Sequence, residues 1–255
     1  MILLLDIGNS TIGLALVEKD EIIKNYRVAT ESKKTYDEYF SLISSILNLS
    51  KVTNVAISSV VPRVTEQIVK MCKKHLNIIP FVVEVGVKTG IDINTDAPKE
   101  VGADLICLAA ALNNTSPTII IDLGTATKLL YCKNNSILGA VITPGIEISH
   151  KALINTTALL PEVELKVTKN VLGKNTTECL QSGMTHGNAA MIDGLINKII
   201  NECKLDKVFL VGTGGLSSVI LPLCKYEILR DPLLIFKGLL KIYKKNLLKE
   251  IHQNA

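Results

Sequence analysis

The sequence predicts an α/β protein of two similarly built lobes, each a mixed sheet flanked by helices, and three observations carry that prediction. The run Leu3-Leu-Leu-Asp6-Ile-Gly8-Asn9-Ser10-Thr11 recurs in outline as Ile119-Ile-Ile-Asp122-Leu-Gly124-Thr125-Ala126-Thr127, with Asp122 falling 116 residues after Asp6. Each copy is followed by two further strand-like runs. Beyond these, helical and strand periodicities alternate. A repeat separated by almost half of 255 residues puts one copy in each lobe.

Taken in order, Leu3 to Asp6 is a buried-strand run, Thr11 to Val17 a second strand and Ile22 to Val28 a third, with a turn at Lys19-Asp20-Glu21 between the last two. Tyr36 to Leu49 reads as helix, Val52 to Val61 as strand, Thr65 to Leu76 as helix and Ile78 to Val85 as strand. The turn-rich run Asn113-Asn114-Thr115-Ser116-Pro117 marks the boundary, giving lobes 1–115 and 116–255. The second copy repeats the layout, with Thr127 to Cys132 a strand, Lys133-Asn-Asn135 a turn and Ile137 to Ile142 a strand. Helices are expected over Ile146 to Leu160 and Thr176 to Cys203. Strand Val208 to Val211 enters Gly212-Thr-Gly-Gly215, a helix follows near Ser217, and a last helix runs from about Pro232 to Leu248.

Composition narrows the class. Hydrophobic residues at 47% with charged residues at 20% describe a chain able to bury a core, so disorder is not expected. Neither a signal peptide nor a membrane span is expected, because the N-terminal apolar run is short and lacks a basic flank. The six cysteines lie singly among apolar neighbours, without Cys-x-x-Cys pairs or His at zinc spacing. They read as buried thiols of a cytoplasmic protein. A net charge of +4 is mild, and Lys241, Lys244, Lys245 and Lys249 fit a solvated helix face, so neither nucleic acid nor membrane is an expected partner. His75, His150, His186 and His252 form no pair that indicates a metal site, and none is assigned a role.

In each copy of the repeat a strand delivers a carboxylate to its tip, glycine allows a sharp turn, and hydroxyl groups and backbone N–H donors follow. Such a surface suits phosphate oxygens, and two of them suit a nucleoside triphosphate with its cation. The alternative for each copy alone is an ordinary hairpin with a polar turn. Signatures of the P-loop and of the dinucleotide fold are both missing, since no Gly-x-x-x-x-Gly-Lys-Ser/Thr or Gly-x-Gly-x-x-Gly run is present.

The duplicated strand-Asp-x-Gly-turn-strand unit resembles the actin, hexokinase and Hsp70 ATPase superfamily, whose lobes have duplicated ribonuclease H-like topology. Gly212-Thr-Gly-Gly215 is similar to its third glycine turn, near the adenosine. The order Asp6-Ile-Gly-Asn-Ser-Thr11, Ser58-Ser-Val-Val-Pro62, Pro98-Lys-Glu-Val-Gly-Ala-Asp104, Asp122-Leu-Gly-Thr125, Gly139-Ala-Val-Ile-Thr-Pro-Gly145, Gly173-Lys-Asn-Thr176 and Gln181-Ser-Gly183 resembles type III pantothenate kinase over nearly the whole chain. The resemblance implies transfer of the γ-phosphoryl group of ATP, carried with Mg²⁺, to the primary hydroxyl of pantothenate, by a homodimer. It implies Asp104 as general base. Asp6, Ile7, Gly8, Asn9, Ser10, Thr11, Ile12 and Gly13, with Thr125 from the other lobe, would hold ATP. Asp122 would hold a monovalent cation, K⁺ or NH₄⁺. Thr95, Gly102, Ala103, Asp104, Leu105 and Thr176 would line the pantothenate pocket.

Without the family, Asp104 reads as the N-cap of a helix from Leu105 to Leu112, and Thr176 or Asn175 as the cap of the helix that follows them. Two residues depart from the family pattern. Leu105 replaces an arginine after Asp104, and Thr95 replaces a tyrosine. Leucine donates nothing to an oxyanion, so another cation such as Lys99 or Lys128 would have to position the acceptor. Two other readings stay open: a nucleotide-binding paralogue with little turnover, and a kinase of another small alcohol.

Overall fold

The structure, a computed structural model, describes residues 1–112 and 115–253, with side chains described up to residue 247. Asn113 and Asn114, at the expected boundary, lie outside the described residues, as does the side chain of Lys249. The chain divides into two compact units, Met1–Asn113 with Leu234–Ala255, and Asn114–Leu233.

The first unit contains β1 (Ile2–Ile7), β2 (Thr11–Glu18), β3 (Glu21–Ala29), α1 (Tyr36–Ile46), β4 (Asn54–Ser59), α2 (Pro62–Met71), β5 (Phe81–Val82), β6 (Asp92–Ile93) and α3 (Ala103–Ala111). The second contains β7 (Thr118–Leu123), β8 (Ala126–Lys133), β9 (Ser136–Pro144), α4 (Ile146–Thr156), α5 (Thr176–Ser182), α6 (Asn188–Glu202), β10 (Phe209–Thr213), α7 (Ser217–Ile220) and β11 (Leu229–Arg230). The closing helix α8 (Leu234–Gln253) belongs to the first unit.

That last placement corrects the 116–255 lobe. Helix α8 packs on α3, and the cause is small residues: a Cβ on Gly238 would overlap the carbonyl of Cys107, so glycine lets the two helix backbones approach. Lys241 Nζ donates to the carbonyl of Ala111 at the end of α3 (2.6 Å), and burial pushes this lysine's pKa down.

In the first unit the strand order is β3-β2-β1-β4-β5, with β1 antiparallel to β2 and parallel to β4. Period-2 alternation turns Leu3, Leu5 and Ile7 towards one face, where they pack with Ile12, Leu14, Tyr39, Ile43 and Ile68 from β2, α1 and α2. Leu4 and Asp6 therefore take the opposite face. The second unit follows the same scheme in the order β11-β10-β7-β8-β9. Ile119, Ile121 and Leu123 pack with Leu129, Ile192 and Ile196, which leaves Ile120 and Asp122 on the other face.

Boundaries differ where local chemistry interrupts a run. Helix α2 begins at Pro62, whose ring suits the first helical position, and a π turn over Cys72–Leu76 extends it to left-handed Asn77 (φ 55°). The strand expected from Ile78 to Val85 shrinks to Phe81–Val82 after Pro80. The stretch expected as one helix over Thr176 to Cys203 is α5 and α6 joined by a π turn, Gly183–Gly187. Of the six cysteines, all free, Cys72, Cys107 and Cys132 are buried, whereas Cys203 and Cys224 are half-buried and Cys179 is exposed. Burial pushes the Cys72 and Cys132 thiols up to about 12. No helix among the described residues is long and apolar enough to cross a membrane.

Candidate active site

Strand register assembles the first part of the site. Asp6 in β1 is level with Ser58 in β4, and both take the face away from α1 and α2. Ser58 Oγ accordingly donates to Asp6 Oδ1 (3.2 Å). Burial pushes the Cys107 thiol on α3 up; a hydrogen bond with Ser58 opposes this, and the carboxylates of Asp6 and Asp104 add to it. One thiol thus senses both predicted acids, which places them in one electrostatic neighbourhood of the first unit.

The hairpin tip Gly8-Asn9-Ser10 is tied down by Thr30, whose Oγ1 donates to the Gly8 carbonyl (2.7 Å) and whose N–H donates to the Ser10 carbonyl (2.9 Å). Asn9, Ser10 and Thr11 are exposed there. Ile7 and Ile12 turn their side chains into the core, leaving their backbone for any ligand contact. Gly13 is buried beneath Phe236 of α8, whose ring atom Cζ a Cβ would meet at 2.8 Å.

Helix α3 overturns the cap reading of Asp104. Its N-cap is Gly102, and Asp104 is its second residue, half-buried, with Oδ1 accepting the N–H of Leu105 (2.8 Å). A carboxylate in the first turn is favoured by the helix dipole. A Cβ on Gly102 would lie 2.5 Å from Asp104 Oδ1, so a larger residue there would displace the carboxylate. The glycine makes room for the acid itself, a local reason that ligand approach does not have to supply. Leu105 is buried at 8% exposure, so an arginine here would carry charge into a packed position.

On the second unit, Asp122 is level with Lys128 of β8, and Lys128 Nζ lies 2.8 Å from Asp122 Oδ2, both side chains being about 15% exposed. Thr125 is half-buried at the hairpin tip, its carbonyl accepting the N–H of Gly145 (3.1 Å). The next hydroxyl, Thr127 Oγ1, is buried without a hydrogen-bond partner. No group of three or more His, Cys, Asp or Glu side chains suited to a metal ion occurs among the described residues.

The acceptor-side residues are less uniform. Thr176 is the exposed first residue of α5, and Asn175 is the cap, accepting the Glu178 N–H (2.9 Å). Thr95 is half-buried with an unpartnered Oγ1. A cavity of about 550 Å³ in the first unit is lined by Ser59, Val87, Pro98, Lys99 and Ala103, among others. Of the six predicted acceptor residues only Ala103 lines it. Ser58 stands in the sequence motif Ser58-Ser-Val-Val-Pro62 with no assigned task, and only the β1–β4 register reveals its bond to Asp6. The pairing of Lys128 with Asp122 likewise emerges only from the β7–β8 register.

Solved structures define the class. A Campylobacter jejuni protein assigned to the Baf family of transcriptional activators superposes with a TM-score of 0.60 at 21% identity, covering 96% of this chain and 98% of that one. A Sinorhizobium meliloti protein named as a 2-dehydro-3-deoxygalactonokinase gives 0.54 at 12% identity, covering 96% of each. These likenesses show the fold, that of the actin-like ATPases and sugar kinases. The chain belongs to the type III pantothenate kinase family: a profile of that family matches residues 2–198, and the type III pantothenate kinase of Acholeplasma laidlawii is 47% identical over 247 residues, 97% of this chain and the whole of that protein.

Proposed function

We propose that this protein transfers the γ-phosphoryl group of ATP to the primary hydroxyl of pantothenate, giving 4'-phosphopantothenate and ADP, the first step towards coenzyme A. The hydroxyl oxygen bonds to the γ-phosphorus as the bond to the bridging oxygen of ADP breaks, and the hydroxyl proton passes to the Asp104 carboxylate. The observation that carries this reading is the position of Asp104 inside α3 with Gly102 cleared beside it, since a residue kept for capping would sit where Gly102 sits.

Asp6, Gly8, Asn9, Ser10 and Thr11, with Thr125, take the triphosphate, the exposed tip offering N–H and hydroxyl donors. Mg²⁺ travelling with ATP supplies charge neutralisation at the phosphates. Asp122 provides a hard oxygen for K⁺ or NH₄⁺, but it is already paired with Lys128 and belongs to no carboxylate cluster among the described residues. That donor set fits a weakly held monovalent ion better than a caged divalent one. Because Lys128 is engaged, Lys99 in the cavity lining beside Ala103 is the cation offered to the pantothenate carboxylate. The protein works as a cytoplasmic homodimer, a reading supported by its free cysteines and by exposed Ile142, Ile148 and Leu153 on β9 and α4.

A coupled assay with ATP, Mg²⁺, K⁺ and pantothenate tests the reading. Asp104→Asn is expected to lower kcat by about 10³-fold while nucleotide affinity is unchanged. Turnover of that variant at the wild-type rate would remove Asp104 from the chemistry.

A further inference from the structure

We infer that Arg230 is a nucleotide-binding residue whose guanidinium takes an anionic oxygen of the phosphate chain. The assignment rests on the kinase reading above and extends it to a residue outside the predicted site.

Three parallel strands, β7, β10 and β11, end side by side in the second unit. Thr213 is level with Asp122, and Gly212 is level with Arg230. In open α/β sheets ligands collect beyond the carboxyl ends of parallel strands. Arg230 therefore lies at the same carboxyl edge as Asp122, one residue short of its level and on the face that Ile121 takes, two strand spacings or about 10 Å away along the hydrogen-bonding direction.

Its side chain is held by a short chain of hydrogen bonds. Arg230 Nε donates to Ser217 Oγ (3.1 Å), and that hydroxyl, wholly buried, donates to the Gly214 carbonyl (2.7 Å). Gly214 has φ +95°, and a Cβ on it would lie 2.5 Å from the carbonyl carbon of Leu123, the last residue of β7. The backbone is fixed as well, because the Asp231 N–H donates to the Gly212 carbonyl (2.8 Å). The guanidinium is thus anchored through Nε to the glycine turn at the strand ends, while the residue as a whole is exposed.

No carboxylate forms an ion pair with Arg230 among the described residues. An ordinary surface arginine is mobile or pairs with a neighbouring acid. This one is ordered by a buried hydroxyl that neutralises none of its charge, and its two terminal nitrogens form a fork matched to phosphate geometry.

Equilibrium binding of ATP, ADP and adenosine to the full-length protein tests the assignment. Arg230→Gln is expected to weaken ATP and ADP by about tenfold and to leave adenosine unchanged. In turnover the KM for ATP should rise while the KM for pantothenate stays put. Arg230→Lys should recover part of the loss, because it keeps the charge and loses the fork. Ser217→Ala, which cuts the anchor and keeps the arginine, should give a smaller loss of the same pattern. Unchanged ATP and ADP affinity in Arg230→Gln would overturn the assignment, as would an equal loss of adenosine. Wild-type protein that binds adenosine but neither ATP nor ADP would also overturn it, and one that binds none of the three would take the kinase reading down as well.

Discussion

Asp6 and Asp122 occupy equivalent positions on strands of the same parity, yet the residue facing each across its hairpin is Gly13 in one copy and Lys128 in the other. The cause is a single residue. Gly8, Asn9 and Ser10 connect β1 to β2, whereas only Gly124 and Thr125 connect β7 to β8. The turn bonds record the difference, for the Gly8 N–H donates to the Thr11 carbonyl and the Gly124 N–H to the Ala126 carbonyl. Thr30 and Gly145 then make the same bond to the two tips, from their N–H groups to the carbonyls of Ser10 and Thr125. Ser10 is thus the counterpart of Thr125, Ile12 of Thr127 and Gly13 of Lys128. The comparison teaches that one copy leaves space opposite its acid, filled from outside by Phe236, while the other supplies a counterion.

The largest expected effect follows from that contrast. Asp6→Asn keeps the shape and an acceptor for Ser58 but loses the negative charge, so kcat/KM for ATP should fall by about 10²-fold. Asp122→Asn breaks a mostly buried ion pair with Lys128 and should cost about 3 kcal/mol of stability. The double variant Asp122→Asn with Lys128→Met should regain part of it. Parallel urea titrations and turnover assays check both halves. Equal stability losses in the two single variants would erase the distinction between the hairpins.

A smaller effect separates the residues that tie the tips. A Cβ on Gly145 would overlap the Thr125 carbonyl and lie 2.5 Å from that of Gly124, both of them backbone atoms. Gly145→Ala is therefore expected to destabilise the protein by about 2 kcal/mol. At the matching position the first copy uses a side chain, so Thr30→Val should cost about 1 kcal/mol through the lost bond to Gly8. Denaturation midpoints measure both, and a tolerated Gly145→Ala would mean that the second tip is free to move.

The sequence made local features legible and left long-range ones hidden. Both hairpin turns were predicted, and Lys19, Asp20, Asn134 and Asn135 do hold positive φ there, a conformation that asparagine and aspartate tolerate through their side chains. Asp104 was singled out because its motif is contiguous. The deletion at the second hairpin escaped notice because Thr11 and Thr127 look alike, although one begins its strand exposed and the other is buried. The pairing of Asp122 with Lys128 depends on that register, and so could not be read from spacing alone. The return of α8 to the first unit depends on Gly238 meeting Cys107, a contact between residues 131 apart that no periodicity encodes.

The smallest expected effect tests the shifted correspondence at its most exact point. Ile7 faces Ile12 in the first hairpin, and Leu123 faces Thr127 in the second, so a hydroxyl occupies a core position that its counterpart fills with carbon. Thr127 Oγ1 is buried and unpartnered, a condition that costs about 1 kcal/mol or more. Thr127→Val should therefore raise the urea midpoint by a corresponding amount with the slope unchanged. It should also leave turnover alone if Thr127 only fills space. A stabilised variant with reduced affinity for ATP would instead give the hydroxyl a task two residues beyond Thr125, and the orphaned group would be stability given up for binding.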